Sequence, residues 1–117
     1  MMIEYETPRI EKSYDIKTVK KQYGTVFAIG LEKMINFILA ANNAYDVKMR
    51  PQFHMHLLKG DLYGIYSLSP DNKKSKYRVP AICKDECGVV LTSFENEYLL
   101  LINSKIFLLK GIMNYHD

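Results

Sequence analysis

Five residues of this sequence carry side chains that could together cleave RNA: His56, Lys59, Arg78, Tyr115 and His116. Attack of a 2′-hydroxyl on the adjacent phosphate needs a base, an acid for the departing 5′-oxygen, and fixed positive charge around the doubly negative phosphorane. Imidazole can serve as base or acid, and ammonium and guanidinium groups can stabilise the charge. These residue types are suited to phosphodiester cleavage that does not require a metal.

The spacing of these residues forms a longer motif. The run His56–Leu62 reads His-Leu-Leu-Lys-Gly-Asp-Leu, and it is followed by Gly64, by Tyr66-Ser67 and by Tyr77-Arg78. Together with the terminal Asn114-Tyr115-His116, this skeleton resembles the HigB-like branch of the RelE/ParE toxins. In that branch a histidine-x-leucine-lysine-glycine-aspartate run opens the sheet, and an aspartate-tyrosine-histidine ending closes the last strand. The resemblance covers nearly the whole chain.

The resemblance implies a function. The chain would be the toxin of a type II toxin-antitoxin pair, a ribosome-dependent endoribonuclease that cuts mRNA in the A site and inhibits translation. Such cleavage leaves a cyclic phosphate and a free 5′-hydroxyl, and it uses no metal or other cofactor. The implied partners are the ribosome with its mRNA and a cognate antitoxin, expected to be a helix-turn-helix DNA-binding protein.

The resemblance also implies roles for individual residues. His56 and Lys59 fall on motif positions that act in these toxins, and Arg78 follows an aromatic residue as the family arginine does. Tyr115 and His116 match the C-terminal pair. His56 is expected to perform acid/base work, with His116 or Tyr115 as its partner. Lys59 and Arg78 are expected to stabilise charge.

Each of these residues also has a purely structural interpretation. Lys59-Gly60-Asp61 can be a tight turn in which glycine supplies the backbone angles and aspartate caps neighbouring amides. For Gly60 and Asp61 we favour that interpretation. His56 can be a hydrogen-bonded strand histidine, and Arg78 can form an ordinary ion pair with Asp61 or Glu32. Tyr115 can be a terminal residue that closes the core.

Asn114 departs from the family pattern, because that position is usually an aspartate. An amide cannot take up a proton or carry negative charge at neutral pH. If the carboxylate orients a histidine or tunes its pKa, activity is weakened here. The departure keeps two alternatives open: a non-enzymatic inhibitory binding module, like the ParE gyrase inhibitors, and a degenerate toxin.

Positive charge is concentrated in the part of the chain that carries the motif. Residues 48–78 hold seven Lys or Arg against two Asp, although the whole chain has a net charge of only +3. A local excess of cations suits phosphate binding and makes affinity depend on salt. The candidate RNA-binding residues are Lys73, Lys74 and Lys76, with Tyr66 as a ring that could stack on a base, as Tyr115 also could. The lysines can equally belong to a solvated hairpin loop.

A metal site is the alternative suggested by His54-Met55-His56. On a strand, these two imidazoles would point to the same face, and His116 could complete a three-histidine site. No carboxylate or cysteine stands beside them in a ligand pattern, so we predict no metal.

Length and composition predict a single cytoplasmic domain spanning residues 1–117. The chain has 117 residues and 48% hydrophobic content, which is enough for one core. No apolar run is long enough to span a membrane, and the N-terminus does not read as a secretory signal. Cys83 and Cys87 fit neither a disulfide framework nor a zinc knuckle, and both are interpreted as free thiols.

The order of predicted elements gives an α+β fold. A strand over Met2–Glu6 precedes a helix that is capped at Thr7-Pro8, breaks near residues 13–15 and stops at Gly24. A second helix, over Thr25–Ala41, completes a hairpin with it and should pack on the sheet through Phe27, Leu31, Ile35 and Ile38. Mostly antiparallel strands follow over 53–58, 65–69, 77–83 and 106–115, with Pro80 at an edge or bulge. Residues 84–104 fit either a short helix or a hairpin. The resemblance implies the RelE/ParE-like version of this fold.

Overall fold

A computed structural model describes residues 1–92 and 96–114, which form a compact α+β fold with a mixed sheet. The helices are α1 (Pro8–Ser13), α2 (Ile16–Tyr23), α3 (Thr25–Ala40), α4 (Ala44–Lys48) and α5 (Glu97–Asn103). The strands are β1 (Met2–Tyr5), β2 (His56–Leu57), β3 (Tyr66–Leu68), β4 (Tyr77–Lys84), β5 (Ile106–Leu109) and β6 (Met113–Asn114). The 3₁₀ turns Pro51–Phe53 and Gly60–Leu62 flank β2.

The sheet follows the order β1, β5, β4, β3, β2. β1 runs parallel to β5, and the other neighbours are antiparallel. β6 pairs with the beginning of β4, whereas β5 pairs with its end. The predicted order of one strand, then helices, then mostly antiparallel strands is confirmed.

α3 supplies much of the core. It follows Gly24, whose φ is 93°, and ends one residue before the predicted Ala41. Its apolar stripe is buried as the helical spacing predicted, because Phe27, Leu31, Met34 and Ile38 are at most 2% exposed. Ile35 is half-buried. The stripe shares one core with sheet residues, including Leu68, Val79, Ala81, Phe107 and Leu109.

The break predicted in the first helical segment is confirmed. α1 begins where the Thr7 hydroxyl accepts from the N–H of Ile10 at 3.1 Å. α2 begins where the Asp15 carboxylate accepts from the N–H of Thr18 at 3.4 Å. Each capping oxygen satisfies an amide that has no acceptor within its own helix. Two short helices therefore stand in place of one.

Gly30 marks the closest approach of α3 to the loop between β3 and β4. A Cβ atom at this position would lie 2.3 Å from the carbonyl oxygen of Pro70. That distance is well inside van der Waals contact, so a side chain here would push the helix and the loop apart.

The strand predicted over residues 53–58 is too long. Pro51 begins a 3₁₀ turn that ends at Phe53, and His54 follows in the left-handed region with φ 47°. Sheet pairing begins only at His56. Proline suits the first turn of a helical segment as well as an extended entry, and here the helical turn forms.

Pro80 lies in a central strand, so the edge expected for it is wrong, whereas the expected bulge is present: between the pairs Arg78–Met113 and Ala81–Leu109, two residues of β4 oppose three of the partner strand. The Pro80 carbonyl accepts from the N–H of Lys110 at 2.9 Å. The side of Pro80 that lacks an N–H therefore faces the stretch between β5 and β6, where sheet pairing is interrupted. The last predicted strand, over residues 106–115, is divided into two at this point.

The remaining sequence predictions can be placed as well. The sequence of residues 84–104 fits either a short helix or a hairpin, and the segment contains α5. Asn96 caps this helix by accepting from the N–H of Leu99 at 3.0 Å. Cys83 is buried and Cys87 is exposed, and both are free thiols as predicted. In the part of the chain that the structure describes, no helix combines the length and apolar character needed to cross a bilayer.

Candidate active site

The pairing register divides the sheet side chains between two faces. His56 pairs with Ser67, and Ser67 pairs with Pro80, so these three side chains point to the same side. Arg78 precedes Pro80 by two residues in β4 and therefore lies on that side too. The opposite face carries the apolar core. We call the side that bears His56, Ser67 and Arg78 the polar face.

His56 is half-buried at the beginning of β2. Its Nδ1 atom lies 2.9 Å from the carbonyl oxygen of His54. Because a carbonyl oxygen can only accept, Nδ1 must donate and must carry a proton. In the neutral ring, Nε2 then holds the lone pair that a base requires.

Arg78 is only 4% exposed. Its Nη1 atom donates to the carbonyl oxygens of Ser75 and Tyr77, at 2.7 and 2.8 Å. These bonds fix the guanidinium within the polar face, so it is a stationary charge and not a mobile surface cation. A charge that is already in place stabilises a developing anion without reorganisation.

Lys59 lies beyond β2, immediately before the 3₁₀ turn Gly60–Leu62. It is exposed, and the pairing of β2 with β3 ends at Leu57, two residues before it. The register thus does not bring Lys59 to the face that Arg78 occupies. Gly60 has φ 69°, which agrees with the turn interpretation of Gly60-Asp61.

The C-terminal candidates Tyr115 and His116 lie outside the described residues, and their roles stay predictions. Asn114 is described and pairs with Tyr77. Because Tyr77 and Arg78 are adjacent in β4, their side chains point to opposite faces. Asn114 therefore lies on the face opposite Arg78, which is a poor position for orienting a histidine on the polar face.

Tyr66 does not suit base stacking. The residue is 2% exposed, and its hydroxyl donates to the Glu97 carboxylate at 3.0 Å. Burial, together with this bond to a carboxylate, raises the pKa of Tyr66 above its usual value. A nucleobase needs an accessible ring face, which this tyrosine does not offer.

The loop between β3 and β4 presents the candidate RNA-binding residues Lys73, Lys74 and Lys76, all of which are exposed. The loop backbone is anchored at Ser69, whose N–H donates to the Phe53 carbonyl at 2.7 Å. The Ser69 hydroxyl accepts from the N–H of Lys73, also at 2.7 Å. The three lysines therefore extend from a defined backbone, a position that fits either phosphate contact or simple solvation.

One contact beside β2 could not be inferred from the sequence. The Nε2 atom of His54 lies 2.6 Å from Oδ1 of Asn72, which joins the entry of β2 to the lysine-bearing loop. The sequence suggested His54 only as a metal ligand on the same strand face as His56. That placement is wrong, because His54 is a turn residue that precedes the strand. The only available signal was that Asn tolerates left-handed turn positions.

Within residues 1–92 and 96–114 there is no group of three or more His, Cys, Asp or Glu side chains placed to hold a metal ion. Comparisons of the chain with protein-family models, with curated proteins and with solved structures found no match. The motif and the geometry of the polar face are therefore the basis for a functional proposal.

Proposed function

We propose that this chain is a HigB-like toxin with a RelE/ParE-like fold, and that it acts as a ribosome-dependent mRNA endoribonuclease. The observation that carries the proposal is the placement of His56 and Arg78 on one face of the sheet, although they are distant in sequence. A base and a fixed cation on the same face are what cleavage by a 2′-hydroxyl needs. The motif from His56 to Leu62 supports the same function.

In the proposed reaction, Nε2 of His56 takes the proton of the 2′-hydroxyl as the 2′-oxygen bonds to phosphorus. Arg78 stabilises the negative charge of the phosphorane. The bond from phosphorus to the 5′-oxygen then breaks, which leaves a 2′,3′-cyclic phosphate. The departing 5′-oxygen takes a proton from an acid, for which Tyr115 and His116 are the candidates.

The proposal assigns partners as well as chemistry. The ribosome would present the mRNA, and the exposed ammonium groups of Lys73, Lys74 and Lys76 would contact its phosphates. Such contacts weaken as salt rises, because the release of condensed counterions on binding is less favourable at a higher bulk salt concentration. A cognate antitoxin, expected to be a helix-turn-helix DNA-binding protein, would neutralise the toxin.

The position of Lys59 favours one competing function. The sheet register does not bring Lys59 to the polar face, so one of the charges expected from the motif is not held at the site by the sheet. An inhibitory binding module without nuclease activity, comparable to the gyrase inhibitors of the superfamily, would not need that charge. Growth inhibition without any cut in mRNA would identify this alternative.

Primer extension on mRNA translated in a reconstituted system tests the nuclease. The wild-type protein should cut at A-site codons only while the message is translated, and naked mRNA should stay intact. The fragments should end in a 2′,3′-cyclic phosphate and a 5′-hydroxyl. Arg78→Lys should lower the cleavage rate by about 10²-fold or more, because lysine keeps the charge but lacks the planar fork.

Thermal unfolding of Arg78→Lys is the necessary control, since the residue is buried. A folded variant with wild-type cleavage would remove Arg78 from the proposed mechanism. Intact mRNA in the reaction with the wild-type protein, together with growth inhibition when that protein is expressed in cells, would favour the binding module over the nuclease.

A further inference from the structure

The entry to β2 and the loop that follows β3 contain two linked residues in an unfavourable backbone conformation. His54 and Asn72 have φ values of 47° and 56°, in the left-handed region that favours glycine. This conformation is unfavourable for a residue with a side chain, and it persists only where surrounding contacts hold it. Here the two side chains contact each other at 2.6 Å, between His54 Nε2 and Asn72 Oδ1.

The left-handed turn at His54 has a direct consequence for His56. The N–H of His54 donates to the Pro51 carbonyl at 3.1 Å and closes the 3₁₀ turn. The carbonyl of His54 is then directed at Nδ1 of His56, at 2.9 Å. The backbone conformation of one residue thus determines which ring nitrogen of the other carries the proton.

We propose that His54 and Asn72 are positioning residues that hold His56 in its Nδ1–H tautomer, so that Nε2 is the basic atom presented to the RNA. The inference rests on the proposed nuclease function and deepens it. The imidazole of His54 does not touch the reacting atoms. It bonds to Asn72, and this bond stabilises the turn that aims the His54 carbonyl.

A pair of substitutions at His54 separates this role from direct catalysis by its imidazole. Both His54→Gly and His54→Val remove the ring. Glycine adopts φ 47° without strain, whereas a β-branched side chain strongly disfavours it. His54→Gly should therefore lose less of the cleavage rate than His54→Val, which should lower kcat by about tenfold or more with KM unchanged, as when a histidine loses its orienting partner.

Asn72→Gly provides a second test in which the left-handed conformation stays accessible, because glycine accepts φ 56°. The substitution removes the acceptor of the His54 ring. It should lower kcat in the same sense as His54→Val, and the double variant Asn72→Gly with His54→Gly should recover most of the loss.

The tautomer of His56 can be read without any activity measurement. Two-bond ¹H–¹⁵N correlation spectra of the imidazole, with His56→Gln to assign the signal, should show Nδ1–H in the wild type and in His54→Gly. They should show a shift toward Nε2–H in His54→Val and Asn72→Gly. An Nε2–H ring in the wild type, or equal losses of cleavage in His54→Gly and His54→Val, would overturn the positioning role.

The two readouts distinguish failure of this inference from failure of the proposed function. Wild-type cleavage together with an unshifted tautomer in His54→Val and Asn72→Gly contradicts the positioning role alone. If the wild type does not cleave mRNA, the proposed nuclease function is wrong. The positioning of His56 by His54 and Asn72 then has no catalytic role, whatever tautomer the spectra show.

Discussion

Both faces of the sheet contain buried side chains, but those side chains differ in chemical type. On the face toward the helices, Leu68, Val79, Phe107 and Leu109 are 0% exposed and make apolar contacts. On the polar face, Ser67 is 0% exposed and Arg78 is 4% exposed. One face stabilises the fold, and the other fixes charged and hydrogen-bonding groups in position.

The two faces differ in how precisely their side chains must be positioned. Apolar burial is non-directional and scales with the area removed from water. A buried guanidinium instead requires partners at defined positions, and Arg78 obtains them from the carbonyls of Ser75 and Tyr77. Small displacements should therefore be tolerated better by the core than by the polar face.

The largest expected effect on stability is a cavity on the helical face. Phe107→Ala should lower the free energy of unfolding by about 3–5 kcal/mol, because the buried ring leaves a void that the core cannot fill. Leu108→Ala is the matched control, since Leu108 is the next residue in β5 and is half-buried on the polar face. Chemical denaturation should show a clearly smaller loss for Leu108→Ala. Equal losses would contradict the assignment of the core to one face.

A second effect concerns the contact between α3 and the loop that follows β3. Gly30→Ala gains about 1 kcal/mol of helix propensity, yet its Cβ would collide with the Pro70 carbonyl. We expect a net loss of about 1–3 kcal/mol in the free energy of unfolding, as for overpacked cores. Gly111→Ala, which meets no atom within 4 Å, should change it little. A stabilised Gly30→Ala protein would show that the approach is looser than described.

The core was more predictable from the sequence than the polar face. The spacing of Phe27, Leu31 and Ile38 was sufficient to place α3 against the sheet, because helical periodicity directly reports a buried stripe. The sequence also indicated His56 and Arg78 as site residues. It could not predict that sheet pairing stops before Lys59, because that depends on where β2 ends and on the register of β2 with β3.

The contact between His54 and Asn72 was beyond sequence reasoning for a related reason. It depends on a 3₁₀ turn at Pro51 and on two left-handed residues, none of which has a periodic signal. The position of Pro80 was predicted only in part. Its tolerance in a central strand depends on the interruption between β5 and β6, which the sequence does not reveal. Local backbone geometry of this kind appears only when tertiary pairing is known.

A smaller effect should appear at alkaline pH. Burial raises the pKa of the Cys83 thiol to about 11. The folded state therefore holds this proton more tightly than the unfolded chain, so the stabilisation is complete below the ordinary thiol pKa and is lost as pH rises toward 11. Relative to Cys83→Ala, the wild type should lose up to about 2 kcal/mol of stability over this interval. Parallel denaturation curves between pH 8 and 11 (roughly the thiol range) would contradict the assignment.

The smallest expected effect on stability belongs to an ion pair at the edge of the polar face. Nζ of Lys84 lies 2.8 Å from Oε1 of Glu4, and the two side chains are 20% and 40% exposed. Lys84→Gln should lower the free energy of unfolding by only about 0.2–1 kcal/mol, with less difference at high salt. A loss comparable to that of Phe107→Ala would mean that this face stabilises the fold as strongly as the core does.

The central claim is that the polar face is where mRNA is cut, and two substitutions on opposite faces test it most directly. The measurement is the cleavage rate of A-site mRNA on translating ribosomes at saturating protein. His56→Gln, on the polar face, should lower the rate by on the order of 10² to 10⁴, typical of a lost general base, with unfolding unchanged. Asn114→Asp, on the opposite face, should cleave at the wild-type rate. Wild-type cleavage by His56→Gln, or a large increase in Asn114→Asp, would contradict the account.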